Sequence, residues 1–582
     1  MRACLFGGVA AMVFVSVIPV GYGATAAPRH RPSASPVHCN LEPDSDMVRV
    51  TGVRGRHGGR SSGMAQARIA PSPMVMPSVQ MNAPPPPPAP APAYAPSAGL
   101  IAGNNLAPGY NAPSPVNAER YEHQPVSGAM RVAEAPVSTF SVDVDTASYA
   151  NVRRMLKDGQ TPPADAVRTE ELLNYFRYDY PLPTDKTRPF SITTNVSTTP
   201  WNVQSRLLRI GLRAYDVPRA KRPAANLVFL IDVSGSMNEP DKLPLVKTAL
   251  KTLAANLRPD DKVSIVTYAG APGLVLSPTS NAKYVDAALE CLSAGGSTAG
   301  GAGLSLAYAT ARAAYVPGGI NRVILATDGD FNVGTTSDQG LLDLVKQKMK
   351  GGITLTTLGF GAGNYNDEMM EKIADAGNGN YAYIDSATEA HKVLDDELSG
   401  TLFTVAKDVK IQVEFNPACV SQYRLIGYED RALREQDFNN DQVGAGDMGS
   451  GHQVTALYEI VPAGNAGWLP DRHFDANRPV ANDGHGDQMV WLKLRYKLPD
   501  QDTSRLIEQA IPASTIAAAR APTGDMAFAT SVAAYGQLLR GDTTMGKFTM
   551  TDVRSLAGRQ GDYLRGEFVQ LTKLAETGDA RP

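Results

Sequence analysis

A chain of 582 residues with 43% hydrophobic content is long enough for two or three cores rather than one ordinary domain. Fifty-five basic against 58 acidic residues leave a net charge of -3, so the overall balance calls for neither nucleic acid nor an anionic membrane surface. The choice of partner must then come from a local site.

Met1 and Arg2, an apolar stretch from Ala3 to Val20, and Ala24-Thr25-Ala26 beyond it are the parts of a secretory signal with its cleavage site. The competing reading is an uncleaved membrane anchor, which Gly7, Gly8, Pro19 and Gly21 weaken. Residues 1–26 are therefore read as a signal peptide, and the remainder as exported to the periplasm or cell envelope. Cys4 comes too early for lipid attachment and Cys39 follows Pro-Val-His, so membrane association is not expected. Cleavage leaves Cys39, Cys291 and Cys419, an odd number that makes no disulfide framework.

Residues 27–135 are rich in Pro, Ala, Gly, Ser and Met, with an unbroken proline run from Pro84 to Pro88. Such a segment buries too little apolar surface to offset its chain entropy and is expected to be a disordered or polyproline tether. Order is expected from Pro136. Residues 136–224 carry a strand around Val137, Phe140 and Val142, helices at Tyr149 to Leu156 and Thr169 to Phe176, and strands at Phe190 to Ser197 and Arg206 to Arg213.

From 225 to 403 the apolar period alternates between strand and helix. Strands are read at Leu227 to Ile231, Val263 to Tyr268, Val323 to Thr327, Ile353 to Phe360 and Tyr381 to Ile384. Helices are read near Leu243 to Leu257, Tyr284 to Leu292, Leu304 to Tyr315, Leu341 to Met349, Met369 to Ala376 and Thr388 to Phe403. This alternation predicts an α/β, doubly wound, mostly parallel sheet with helices on both faces, and Gly273 to Ser277 suits an antiparallel edge.

In 404–500 the alternation stops. Val409 to Phe415, Tyr423 to Tyr428, Gln453 to Val461 and Met489 to Tyr496 read as antiparallel strands of a β-sandwich. Candidate strands also precede residue 225, so the α/β unit is expected to be inserted into that sandwich. Residues 501–582, with helical patterns at Met526 to Leu539, Thr551 to Ala557 and Phe568 to Leu574, read as a helical region. The acidic stretch from Glu429 to Asp447 lacks the spacing of a helix-loop-helix calcium loop and is expected to be a solvated loop. Arg540-Gly541-Asp542 reads as a helix C-terminus.

The apolar run Leu227 to Ile231 ends in Asp232-Val-Ser-Gly-Ser, which delivers Asp232, Ser234 and Ser236 to a loop at the C-terminal end of a buried strand. In open α/β sheets ligands sit there. A glycine-rich loop, Gly295 to Gly303, places Thr298 ahead of the Leu304 helix, and the run Val323 to Thr327 ends in Asp328-Gly329-Asp330. Small oxygen ligands of this kind suit a hard divalent cation. The bland alternative is that Asp232 caps a helix and the serines and glycines make turns.

Asp-x-Ser-x-Ser, a distant Thr in a Gly-Ser-Thr loop and a later Thr-Asp-Gly together resemble the metal ion-dependent adhesion site of von Willebrand factor type A domains. The match runs from about Ala225 to Leu402 and is complete at all five ligand positions. The resemblance implies that Ser234 and Ser236 bind the metal directly, with Thr298, Asp232 and Asp328 binding directly or through water. Mg²⁺, or Mn²⁺ or Ca²⁺ in its place, is the implied ion, with an open position for an Asp or Glu of another protein. Asp330 suits the rim. Segments Phe140 to Tyr149, Val167 to Phe176 and Ala445 to His452 resemble bacterial exported proteins of the YfbK type.

Enzymatic motifs are missing from the sequence. An aspartyl phosphotransfer enzyme would place a second acid where Ser234 stands. Asp232-Val-Ser-Gly-Ser does not supply the Gly-x-Ser-x-Gly of a hydrolase elbow, and neither His-Glu-x-x-His nor the phosphate-loop spacing with Gly-Lys-Ser or Gly-Lys-Thr occurs. The expected function is a non-enzymatic, metal-dependent protein-binding module. The alternatives are a Mg²⁺-dependent phosphoester hydrolase and an envelope protein whose metal only stabilises the fold.

Overall fold

Asp232 closes a strand, Ala225–Asp232, in which every residue is at most 2% exposed. A strand this apolar must be covered on both faces. In the computed structural model, Phe229 and Ile231 pack on a helical layer that includes Val246, Leu250 and Leu253, while Val228 and Leu230 pack on Leu304, Ala307 and Ala311 on the other side. Burying Leu227 through Ile231 contributes on the order of 10 kcal/mol before chain entropy is subtracted. The described residues are 119–142, 144–184, 188–296, 300–329, 338–397, 400, 403–470, 472 and 485–579. The expected signal peptide and the tether up to residue 118 lie outside them.

The central sheet runs in the order Tyr381–Ile384, Thr354–Phe360, Ile320–Thr327, Ala225–Asp232, Lys262–Tyr268, Gly273–Thr279. All neighbours are parallel except the last pair, which is antiparallel. The Asp232 strand therefore lies beside the strand that leads to Asp328, with Ala225 to Ile231 in register with Ile320 to Ala326. The last helix, Ala387–His391, continues into a wider turn at Lys392–Glu397.

Two antiparallel sheets form the sandwich. One has the order Met130–Arg131, Val420–Ile426, Gln453–Pro462, Arg206–Ala214, Phe190–Thr198, and so joins strands from before and after the α/β unit. The other has the order Ala432–Leu433, Val137–Ser141, Thr404–Phe415, Gln488–Lys497, Arg505–Pro512, with Met448–Gly449 beside Thr404–Phe415. Phe140, Leu208, Ile210, Ile411, Phe415, Tyr458 and Leu492 fill the core between them. The α/β unit is thus inserted into the sandwich.

Three expectations differ from the structure. The stretch read as tether to residue 135 is structured from Glu119 onward. Glu119 accepts a hydrogen bond from Gly363 N at 2.9 Å and pairs with Arg154 at 3.0 Å, Arg120 bridges to Asn366, and Met130–Arg131 adds an edge strand. Backbone pairing, one buried ion pair and Val132, packed into the sandwich core, hold this stretch in place. The region 501–582 is not wholly helical either, because Arg505–Pro512 is the sandwich's edge strand, paired with Gln488–Lys497. Its half-exposed edge position removes the apolar alternation that would have marked it.

The three longer C-terminal helices, Gly524–Leu539, Met550–Ala557 and Tyr563–Asp579, pack with Ala147–Lys157 and Thr169–Asn174 over Leu207, Ile426 and Leu457 on the back of the first sheet. Arg540 and Gly541 end the first of these helices, and Asp542 is held by Arg424 at 2.7 Å. The acidic stretch before Asp447 is not simply solvated. Glu429 pairs with Arg540, Asp437 with Arg434 and Asp441 with Arg495.

Candidate metal centre

Asp232 is fully buried at its strand end. Its Oδ1 accepts a hydrogen bond from Ser234 N at 2.8 Å and its Oδ2 one from Thr327 Oγ1 at 3.0 Å, so the carboxylate is aimed by its own loop and by the neighbouring strand. A short turn, Gly235–Asn238, is anchored by buried Met237 and brings Ser234 Oγ to 3.1 Å from Ser236 Oγ. Ser234 is buried and Ser236 exposed, which orients the pair from the sheet toward the surface. The glycine-rich loop is tied to this turn by Gly295 N to Val233 O at 2.7 Å and Gly235 N to Gly296 O at 3.1 Å. Thr298 and Asp330 lie outside the described residues.

Asp328 is also fully buried, one position past the adjacent strand. Gly329 follows with φ +85°, and a Cβ there would come within 2.5 Å of Asn366 N, so the chain can turn away from Asp328 only through glycine. Lys242 Nζ donates to Asp328 Oδ2 at 2.9 Å and to Asn364 Oδ1 at 3.4 Å.

Burial pushes the Asp232 carboxyl above the usual carboxylate range, and Asp328 adds to the rise against the hydrogen bonds from Ser234 and Thr327. Two buried carboxylates and two hydroxyls at one sheet edge are an all-oxygen donor set. That set fits a hard cation, which would relieve the crowding of negative charge. Among the described residues the site has only two acidic side chains, and no group of three or more His, Cys, Asp or Glu suited to a metal occurs.

The structure thus brings together Asp232, Ser234, Ser236 and Asp328. Lys242 and Asn364 were not anticipated. A lysine just ahead of a helix reads as surface, whereas its 5% exposure and its bond to Asp328 make it part of the site.

The inserted doubly wound sheet, with this strand-end arrangement, defines a von Willebrand factor type A domain protein. The family model of that description matches residues 226–396, a model described as von Willebrand factor matches 115–209, and one described as the C-terminal part of uncharacterized protein YfbK matches 400–577. Uncharacterized protein YfbK of Escherichia coli (strain K12) is 44% identical over 476 residues, covering 80% of this chain and 82% of that one. The chain belongs to the YfbK family. Uncharacterized protein sll0103 of Synechocystis sp. is 32% identical over 187 residues, 32% of this chain and 43% of that protein. Among solved structures, a von Willebrand factor type A protein from Catenulispora acidiphila is 18% identical with a TM-score of 0.38, covering 69% of this chain and 91% of that one.

Proposed function

We propose that this protein is a non-enzymatic, divalent-metal-dependent protein-binding module of the bacterial cell envelope. The observation that carries the reading is the meeting of two buried carboxylates, Asp232 and Asp328, with the Ser234 and Ser236 hydroxyls at one sheet edge. Asp232, Ser234, Ser236 and Asp328, with Thr298 from the glycine-rich loop, would hold Mg²⁺, Mn²⁺ or Ca²⁺. When bound, the ion supplies a Lewis-acid position that a partner's Asp or Glu can enter.

The chain's own part is orientation and selection. Hydrogen bonds from Ser234 N and Thr327 fix Asp232, and the surrounding loops choose the partner. Ser234 in place of a second acid favours binding over phosphoryl transfer. Export follows from the secretory character of residues 1–26. Among the described residues no helix is long and apolar enough to cross a membrane.

Titration of Mn²⁺ into the metal-stripped full-length chain, followed by calorimetry, tests the site. One site is expected, and it should be lost in Asp232→Ala and Asp328→Ala while circular dichroism stays native. Equal binding by the parent and both variants refutes the assignment.

A further inference from the structure

Lys242 stands just before the helix Leu243–Ala255, Asp328 follows the strand Ile320–Thr327, and Asn364 lies in the loop after Thr354–Phe360. One ammonium therefore joins three loops at the same sheet edge as Asp232. Its stem is pinned, because Gly361 lies directly against it. A Cβ at Gly361 would come within 2.4 Å of the lysine's carbons, so the side chain has little room to swing out to solvent.

We infer that Lys242 is the fixed positive charge of this site, which keeps the metal-free site folded, weakens divalent-ion binding and favours an acidic partner. The inference rests on the metal-binding reading given above. Its physical basis is the charge balance. A buried carboxylate with no counter-charge is strongly destabilising, and Lys242 supplies that charge to Asp328 when no ion is bound. The same ammonium repels an incoming divalent cation, so affinity is lower than two carboxylates alone would give.

With the ion in place, two carboxylates face a divalent cation and an ammonium, leaving the site with one net positive charge. A partner's Asp or Glu brings it to neutrality. Without Lys242 the loaded site would already be neutral and would gain less from a third carboxylate. Lys242 is thus a positioning and selecting residue, acting through Asp328 and through the charge of the whole site.

The test uses the full-length chain, Mn²⁺ as the ion and acetate as the carboxylate probe, read by calorimetry and by water-proton relaxation of bound Mn²⁺. Lys242→Met is expected to bind Mn²⁺ about tenfold or more tightly. It should require a several-fold higher acetate concentration to displace metal-bound water. In chelator its melting temperature should fall, and adding Asp328→Asn should restore it, whereas Lys242→Arg should stay close to the parent in all three readings. A folded Lys242→Met chain with Mn²⁺ affinity unchanged or weakened, or with acetate binding unchanged, overturns the inference. If the parent itself binds no Mn²⁺, the metal-binding reading fails and takes this inference with it.

Discussion

Replacing Arg153 with Met should loosen the inserted unit from its frame. Arg153 lies on the helix Ala147–Lys157 and is 2% exposed. Its Nε donates to Asp385 at 2.7 Å, Nη2 to Glu389 at 2.7 Å, and Nη1 to Glu567 at 3.1 Å and to the Tyr175 hydroxyl at 2.8 Å. Asp385 and Glu389 belong to the end of the α/β unit, and Glu567 to the C-terminal helix. Burial pushes Asp385 above the usual carboxylate range against the pull of Arg153. Glu389, also penalised by burial, is held below it by Lys392 and Arg153.

Methionine fills much of the same volume but leaves Asp385 buried without its counter-charge and Glu389 with Lys392 alone, a loss of about 3–5 kcal/mol. For one cooperative transition of roughly 460 residues, unfolding entropy near 2 cal/mol/K per residue converts that loss to a fall of about 3–5 °C in melting temperature. Scanning calorimetry of the full chain measures it. Adding Asp385→Asn should recover part of the loss, since the stranded charge is removed. A natively folded Arg153→Met protein melting within about 1 °C of the parent would refute the reasoning.

Two further predictions concern pH, and both residues line a cavity of about 60 Å³ between the α/β unit and the sandwich. Burial and the nearby Arg177, Arg322 and Lys392 push the His452 pKa down to about 3. The unfolded chain therefore binds a proton that the folded chain refuses, and the contribution of His452, a few kcal/mol, is present above pH ~6.5 and is lost as pH falls toward 3. His452→Asn keeps an acceptor for Gly449 N and should make stability measurably less acid-sensitive in that window; an unchanged profile in urea denaturation counts against it. Asp447 has the opposite sign. Burial raises its pKa to about 6, so the folded form holds a proton longer and stability falls as pH rises from about 4 to 6. Asp447→Asn should be more stable than the parent at pH 7 by about 3 kcal/mol and equal to it near pH 4, and a loss at pH 7 would contradict this.

The legible parts of the chain were those in which local pattern decides structure. Leu227 to Ile231 is apolar throughout because the strand is covered on both faces, and that continuity pointed to a central strand and a functional strand end. Adjacency of the Asp232 and Asp328 strands comes from the pairing of two segments nearly a hundred positions apart, which local pattern does not encode. What stayed hidden depends on contacts distant in sequence. Arg153 meets Asp385 across 232 positions and Glu567 across 414, and no local pattern marks such pairs. Lys242 was missed for a related reason, since its depth comes from the Gly361 loop, more than a hundred positions away. Glu119 and Arg120 were absorbed into the tether because backbone pairing to Tyr365 and Asp367 leaves no trace in composition.

Chelator-sensitive cross-linking with mass spectrometry in envelope extracts tests the central claim most directly. Cross-links are expected from the rim around Ser236, Gly296 and Asn364 to an acidic segment of another protein, abolished by chelator and by Asp232→Ala and restored by Mg²⁺. The same cross-links persisting through both treatments would contradict it.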